Sequence, residues 1–186
     1  MTATPSPRRD GRTTDTRRRA QAVALELFAT RGFEATSLQD IARELGVTKA
    51  ALYYHFPAKA DLARSVFQPF IDDVDRTLAE LSGRTLPRQD VLTAYVQALL
   101  PHRAVLAAML RDPGAAADLD LEGASRRWLA ALADLLAEPA TTPSSRTRVR
   151  TAVAVGGLTR ALVLPEVEDP DVLADAVAAA VRVLAP

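Results

Sequence analysis

Apolar residues recur at helical spacing along most of the chain, and clear runs of alternating apolar and polar residues are absent. From Thr16 they occupy positions 20, 23, 24, 27 and 28, which lie on one face of a helix. Gly32 follows this stretch, where a C-cap glycine would stand. The pattern predicts an all-α fold that begins with this helix.

Two short helices with a tight turn between them are predicted next. Ser37 stands where an N-cap would, Asp40 lies near the positive end of the helix dipole, and the helix ends at Gly46. Thr48 is the candidate N-cap of a third helix, which runs to residue 54 or 55 and stops before Pro57. Two short helices joined by a glycine-containing turn form a helix-turn-helix.

Six further helices are predicted from the remaining apolar stripes. Pro69 falls inside the first of them, where it removes a backbone hydrogen bond, so we expect either a kink near 65–69 or a junction of two helices. The predicted ranges are about 58–82, 88–100, 101–111, 119–137, 146–163 and from 170 onward. The predicted fold class is therefore all-α with about nine helices.

These helices divide the chain into a small N-terminal and a larger C-terminal domain. Residues 1–14 are rich in Pro, Thr and Arg and lack apolar periodicity, which predicts a disordered basic tail. Residues 15–60 hold the predicted three-helix domain with the helix-turn-helix. Residues 61–186 hold the remaining helices.

Composition narrows the environment of the protein. Apolar residues make up 48% of the chain and aromatic residues only 5%, so the core should consist mainly of Ala, Leu and Val. There is no cysteine, which excludes disulfides and thiolate metal sites. The basic N-terminus is not followed by the apolar segment of a signal peptide, and no uncharged apolar run approaches the ~18 residues of a membrane span. We expect a cytoplasmic protein without membrane contact.

Charge is unevenly distributed although the formal net charge is zero. Residues 1–64 carry eleven Lys and Arg against seven Asp and Glu, and the rest of the chain carries twelve against sixteen. A basic N-terminal third favours attraction to a polyanion. The arginines at 8, 9, 12, 17, 18 and 19 would then add phosphate or minor-groove contacts, unless they serve only as a solubility tail.

The side chains of the helix-turn-helix suit DNA. In a DNA reader the second helix of the motif enters the major groove, while hydroxyl, amide and basic side chains around it hold phosphates. Tyr54 is ambiguous, because it could contact the groove or pack against the first helix. The candidate DNA contacts on this reasoning are Thr36, Ser37, Gln39, Thr48, Lys49, Tyr53, Tyr54, His55 and Lys59.

The stretch ALELFATRGFEATSLQDIARELGVTKAALYYHFPAKADL, preceded by its arginine cluster, resembles the DNA-binding domain of TetR-family transcriptional regulators over about residues 16–64. The resemblance implies that Tyr53 and His55 are phosphate and groove contacts and that Lys59 is a phosphate-binding lysine. It places Ser37 and Gln39 among the contacts of the preceding helix. By the same resemblance Thr48, Lys49 and Ala51 face the bases, whereas Leu52 and Phe56 pack inside.

The resemblance also implies a homodimer on a palindromic operator, released by a small molecule that binds the C-terminal domain. An effector pocket should be mostly apolar with a few polar groups. The candidate ligand contacts are Phe67, Phe70, Tyr95, His102, Met109 and Trp128.

The last two predicted helices are the candidate dimer interface. Two adjacent glycines in the first of them would allow close helix packing, with a helix break as the alternative. The second carries an apolar stripe. The candidate interface residues are Val153, Gly156, Gly157, Leu173, Val177 and Val181.

The favoured function is a ligand-responsive, DNA-binding transcriptional repressor that responds to an apolar or amphipathic effector. The alternative is an all-helical dimeric adaptor that acts through protein partners without specific DNA binding. Enzymatic activity, metals and cofactors are not expected, because the chain has two histidines, no cysteine, no phosphate-binding glycine loop and no metal-ligand cluster.

Overall fold

The computed structural model describes residues 10–112, 120–137 and 143–185, with side chains from residue 14 onward. Every regular element in these ranges is helical, so the predicted all-α fold class is confirmed. Two short 3₁₀ helices, Leu100–His102 and Pro165–Glu168, accompany the α-helices. The α-helices are α1 (Asp10–Arg31), α2 (Leu38–Leu45), α3 (Lys49–His55), α4 (Lys59–Leu81), α5 (Arg88–Leu99), α6 (Arg103–Arg111), α7 (Leu121–Leu136), α8 (Ser145–Ala161) and α9 (Pro170–Val183).

The helix-turn-helix forms from local signals in α2 and α3. The Ser37 hydroxyl accepts a hydrogen bond from the Asp40 amide, and the Asp40 carboxylate accepts one from the Ser37 amide, which completes a capping box. Gly46 ends α2 with a positive φ of 71°, a conformation that favours glycine. The Thr48 hydroxyl then caps α3 by accepting from the Ala51 amide.

The first helix begins earlier than its apolar stripe. Because α1 starts at Asp10, the prediction of a disordered tail is wrong for residues 10–14; residues 1–9 lie outside the described ranges. Among the described side chains of α1, which begin at Thr14, Ala20 is the first that is buried, so residues 14–19 extend beyond the core. Arginine is a good helix former and Asp10 lies near the positive end of the dipole, so a helix can continue there without an apolar face.

The N-terminal three helices, here called the head, pack on the rest of the chain, called the body, through α1. Phe28 of α1 stacks on Phe67 of α4, with the ring centroids 6.4 Å apart. At the end of α1 the Phe33 amide donates to Asp112 Oδ2 at 2.8 Å, and Arg111 Nη1 donates to the Ala29 carbonyl at 2.9 Å. The head is therefore joined to both α4 and the end of α6.

In the body, α4 is a single helix that continues through Pro69, so two separate helices do not meet there. Helices α8 and α9 pack against each other and against α5. The Arg88 guanidinium donates to the carbonyls of Leu136 and Leu184, both at 3.0 Å, and so ties the ends of α7 and α9 to the start of α5.

One segment, Arg88–Arg111, is long and apolar enough to cross a membrane by length and composition alone. In the structure it consists of α5, a 3₁₀ turn and α6, and its apolar residues, including Leu92 and Leu99, join the hydrophobic core. Core helices commonly meet the same compositional test.

Candidate nucleic-acid interface and C-terminal cleft

Helix α3 separates an inner from an outer face. Leu52 and Phe56 are fully buried, as predicted. Lys49 and Ala51 are exposed on the opposite face, and Tyr53 keeps 41% of its surface exposed. The seven residues of α3 thus form an amphipathic helix. Its buried side chains anchor it in the core, and its outer face exposes basic and aromatic side chains.

Tyr54 is the most exposed of the aromatic residues in α3, at 79%. This exposure excludes the packing alternative, because a tyrosine packed on α1 would be buried, and the groove contact stays a prediction. His55 is half-buried and meets the Tyr54 ring edge-on, with centroids 5.3 Å apart. Behind them Arg17 of α1 places its guanidinium 4.9 Å from the Phe56 ring centroid.

At the start of α2 the candidate contacts differ in accessibility. Ser37 and Gln39 are exposed, although the Ser37 hydroxyl takes part in the capping box. The hydrogen bond from Ser37 is the main cause that lowers the pKa of Asp40 below its usual value. Thr36, in contrast, is buried and its hydroxyl donates to the Gly32 carbonyl at 2.8 Å. The prediction that the Thr36 side chain contacts DNA is therefore wrong.

Lys59 is held by the turn between α1 and α2. Its Nζ donates to the Phe33 carbonyl at 2.9 Å, lies 4.1 Å from the Phe33 ring centroid, and is 4.0 Å from Glu34 Oε2. The ammonium still borders a small surface cleft of about 290 Å³, together with Ser37 and Tyr53. The fold thus gathers candidate contacts from α2, α3 and α4 around one depression.

Comparison with known proteins matches this motif to a family. The family model described as "Bacterial regulatory proteins, tetR family" matches residues 22–66, which span the C-terminal part of α1, the helix-turn-helix and the start of α4. Residues 22–66 of this chain are thus similar to the TetR family. Members of this family are transcriptional regulators with a DNA-binding helix-turn-helix.

Among TetR-family relatives, the transcriptional repressor KstR2 of Rhodococcus jostii is 34% identical over 74 residues, 40% of this chain and 36% of its own length. The transcriptional activator FasR of Mycolicibacterium smegmatis is 33% identical over 93 residues, 49% of this chain and 42% of its own length. The similarity to these curated relatives thus spans less than half of their length. The solved structure of the ketosteroid transcriptional regulator KstR2 of Mycobacterium tuberculosis shares the fold over 90% of this chain and 92% of its own, with a TM-score of 0.69 and 16% identity.

Most of the predicted ligand residues lie in the core of the body. Phe67, Phe70 and Tyr95 are buried, and burial raises the pKa of the Tyr95 hydroxyl. His102 accepts or donates a hydrogen bond with Asp73 at 2.8 Å, and Met109 packs against the core. These five residues do not line the cleft described next. Aromatic residues at helical spacing pack together here, as the edge-on contact of Phe70 with His102 illustrates.

A cleft of about 780 Å³ opens between the second half of α4, the following loop and α7. Trp128 lies in its wall, and the indole Nε1 donates to Asp75 Oδ1 at 2.6 Å. Of the predicted ligand residues, Trp128 alone borders this cleft. The remaining lining is mixed in character and includes Leu78, Ala79, Ser82, Arg84, Thr85, Leu86, Arg127, Ala131, Asp134 and Leu135. Sequence reasoning named Trp128 but none of the other residues that line this cleft.

The predicted dimer interface is partly available on the single chain. Helix α8 runs unbroken through Gly156 and Gly157, which excludes the helix-break alternative. A Cβ added at either glycine would meet no atom within 4 Å beyond its own stretch of helix in the described part of the chain. Val153 beside them is 59% exposed.

Helix α9 contributes less to this surface than predicted. Val177 is buried because α9 packs on α5 and α8 of its own chain, so its assignment to the interface is wrong. Leu173 and Val181 are half-buried and pack against the core. The large apolar side chains that remain exposed on or beside α8 and α9 are Val149, Val153, Leu164, Val172 and Val183.

Proposed function

We propose that the protein is a transcriptional repressor that binds a palindromic operator as a homodimer and dissociates when a small apolar or amphipathic effector binds the body. The observation that carries this proposal is the outer face of α3, where Lys49, Tyr53 and Tyr54 are exposed above the buried Leu52.

The exposed side chains of this face are of the types that contact DNA in the major groove. Thr48 and Lys49 lie at the N-terminal end of α3, the end that reaches base edges when such a helix enters the major groove. Lys49 lies 5.4 Å above the Tyr53 ring, so the tyrosine supports the lysine while its hydroxyl remains able to hold a phosphate. Ala51 offers only a methyl group, which suits contact with a thymine methyl.

The surroundings of α3 supply phosphate contacts. Lys59 uses one of its three ammonium protons on Phe33 and has two left for the small cleft that it shares with Ser37 and Tyr53. His55 lies beside this set, and its ring N–H can donate to a phosphate.

The exposed surface of α8 supports the proposed dimerisation. Val149 and Val153 present apolar surface to solvent, and the open glycines beside Val153 allow a second backbone to approach closely. A second copy of α8 and α9 would cover this face and place two α3 helices on one side of the dimer, as a palindromic site requires.

The cleft beside Trp128 is the proposed effector site. Its volume of about 780 Å³ falls within the range of small-molecule pockets, and it combines an apolar wall with a few charged groups. The filled core around Phe67 and Phe70 leaves this cleft as the better candidate within the described residues.

The test is selection of bound duplexes from a random DNA pool, followed by affinity measurements over a salt series. A repressor of this kind enriches a palindrome, and its affinity falls with a log–log slope of about −0.9 per phosphate contacted. Failure to enrich any sequence, together with a flat salt response, would favour the adaptor function instead.

A further inference from the structure

Pro69 leaves one carbonyl of α4 without its helical partner. Proline has no amide proton, so the carbonyl four residues earlier, that of Ser65, loses its hydrogen bond within the helix. The side chain of Gln21 supplies the missing donor, with Nε2 3.1 Å from the Ser65 oxygen. Gln21 belongs to α1 and therefore to the head, whereas α4 is the first helix of the body.

Small side chains beside this hydrogen bond allow α1 to lie close to α4. Ala20 and Ala24 flank Gln21 on α1, and both are fully buried. Their small side chains allow the two backbones to approach within reach of a glutamine side chain. Gln21 and Ser65 are themselves half-buried, so the bond is partly shielded from water.

We infer that Gln21 is a positioning residue that fixes the orientation of the head on α4 by donating to the carbonyl that Pro69 leaves free. The other hydrogen bonds between head and body, made by Lys59, Asp112 and Arg111, hold the C-terminal end of α1, whereas the bond of Gln21 holds the middle of this helix. A hydrogen bond to a helix carbonyl is directional. The bond also depends on Pro69, because any other residue at position 69 would supply the Ser65 carbonyl with an amide of its own.

The experiment measures head orientation directly and needs no DNA. The chain has no cysteine, so spin labels can be placed at Glu44→Cys on α2 and Glu80→Cys near the end of α4, both exposed positions. Pulsed electron resonance then gives the distance distribution between head and body. We expect Gln21→Ala to broaden and shift this distribution while circular dichroism shows an intact helical fold.

Pro69→Ala provides the second arm of a double-mutant cycle. It restores the helical partner of the Ser65 carbonyl, so Gln21→Ala should change the distance distribution far less in that background than in the parent. Gln68→Ala is the matched control, because this neighbouring glutamine bonds only to Asp72 of its own helix. Gln68→Ala should leave the distribution as it is in the parent.

An unchanged distribution in Gln21→Ala would overturn the proposal, as would an equal shift in the Pro69→Ala background. A lower melting temperature with no change in distance would show that Gln21 only stabilises the fold, and would also overturn it. The relevance of head orientation to operator binding rests on the proposed function. The distance measurement stands without it, so failure of either idea can be told from failure of the other.

Discussion

Lys49 and Lys59 are the only lysines in the sequence, and their ammonium groups have different surroundings. Lys49 is exposed on α3, with Nζ 5.4 Å from the Tyr53 ring centroid. The Lys59 side chain is 26% exposed, donates to the Phe33 carbonyl at 2.9 Å and lies over the Phe33 ring. Methionine in place of either lysine removes the charge and keeps most of the unbranched stem. The matched pair therefore separates stabilisation of the fold from phosphate binding.

The expected loss of stability differs between the two variants. Lys59→Met removes a hydrogen bond from a charged donor, worth about 1.5–3 kcal/mol, and a cation–π contact worth about 0.5–1 kcal/mol. In the parent, partial burial of the charged ammonium costs free energy, and the variant does not carry this cost. It offsets part of the loss, so we expect the free energy of unfolding to fall by about 2 kcal/mol. For a chain of this size the Tm would drop by roughly 4–8 °C. Lys49→Met loses an exposed contact and should move Tm by less than about 2 °C.

The assays are thermal unfolding followed by circular dichroism and DNA affinity measured against salt concentration. If the Lys59 ammonium contacts a phosphate, Lys59→Met lowers the magnitude of the log–log salt slope by about 0.9. Lys49→Met, at the end of α3 that reaches base edges, should weaken operator binding with a smaller change in that slope. An unchanged Tm for Lys59→Met would refute the stabilising role assigned to its bond with Phe33, and an unchanged slope would refute its phosphate contact.

Three further predictions concern the body. Val153→Glu places a charge on the exposed face of α8 and should convert the proposed dimer to a monomer in sedimentation velocity; a variant that still sediments as a dimer would place the interface elsewhere. Asp75→Ala removes the acceptor of the Trp128 indole and should lower the free energy of unfolding by about 1–3 kcal/mol, measured by urea denaturation followed by emission of this single tryptophan. The hydrogen bond from His102 holds the pKa of Asp73 below its ordinary value of 3.8. The stability that ionised Asp73 contributes is therefore present above pH 3.8 and is lost as pH falls through the lowered pKa. Asp73→Asn should make the urea midpoint of unfolding less dependent on pH in the acid range. The same acid dependence in the variant and the parent would contradict this prediction.

The parts of the head that sequence reasoning predicted well are those set by local interactions. The Ser37 N-cap, the glycine turn at Gly46 and the inward register of Leu52 and Phe56 each depend on residues within one or two helical turns. Spacing and residue type are sufficient for such features. The same holds for the unbroken α8, because two glycines weaken a helix without stopping it.

Side chains whose partners are distant in sequence were predicted less well. Sequence reasoning assigned Lys59 to a DNA phosphate and gave no sign of its bond to Phe33, which lies 26 residues earlier in the chain. The aromatic residues of the body have the composition of a pocket, but whether they enclose space or fill it depends on how the helices meet. Phe70 and Trp128 meet edge-on with centroids 5.4 Å apart, so these two rings fill the space between their helices, and the cleft opens on the far side of Trp128 toward the loop after α4.

Pro69 shows how a local prediction can be correct and incomplete. The proline does interrupt the hydrogen bonding of α4, as its chemistry requires. Taken alone, that interruption predicts a weak point in the helix that joins head and body. The Gln21 side chain offsets the loss at Ser65 from another helix, so the carbonyl that would weaken α4 instead attaches it to the head. A carbonyl freed by proline is available to a neighbour without breaking any helical bond, which makes this position in α4 suited to a directional contact between domains.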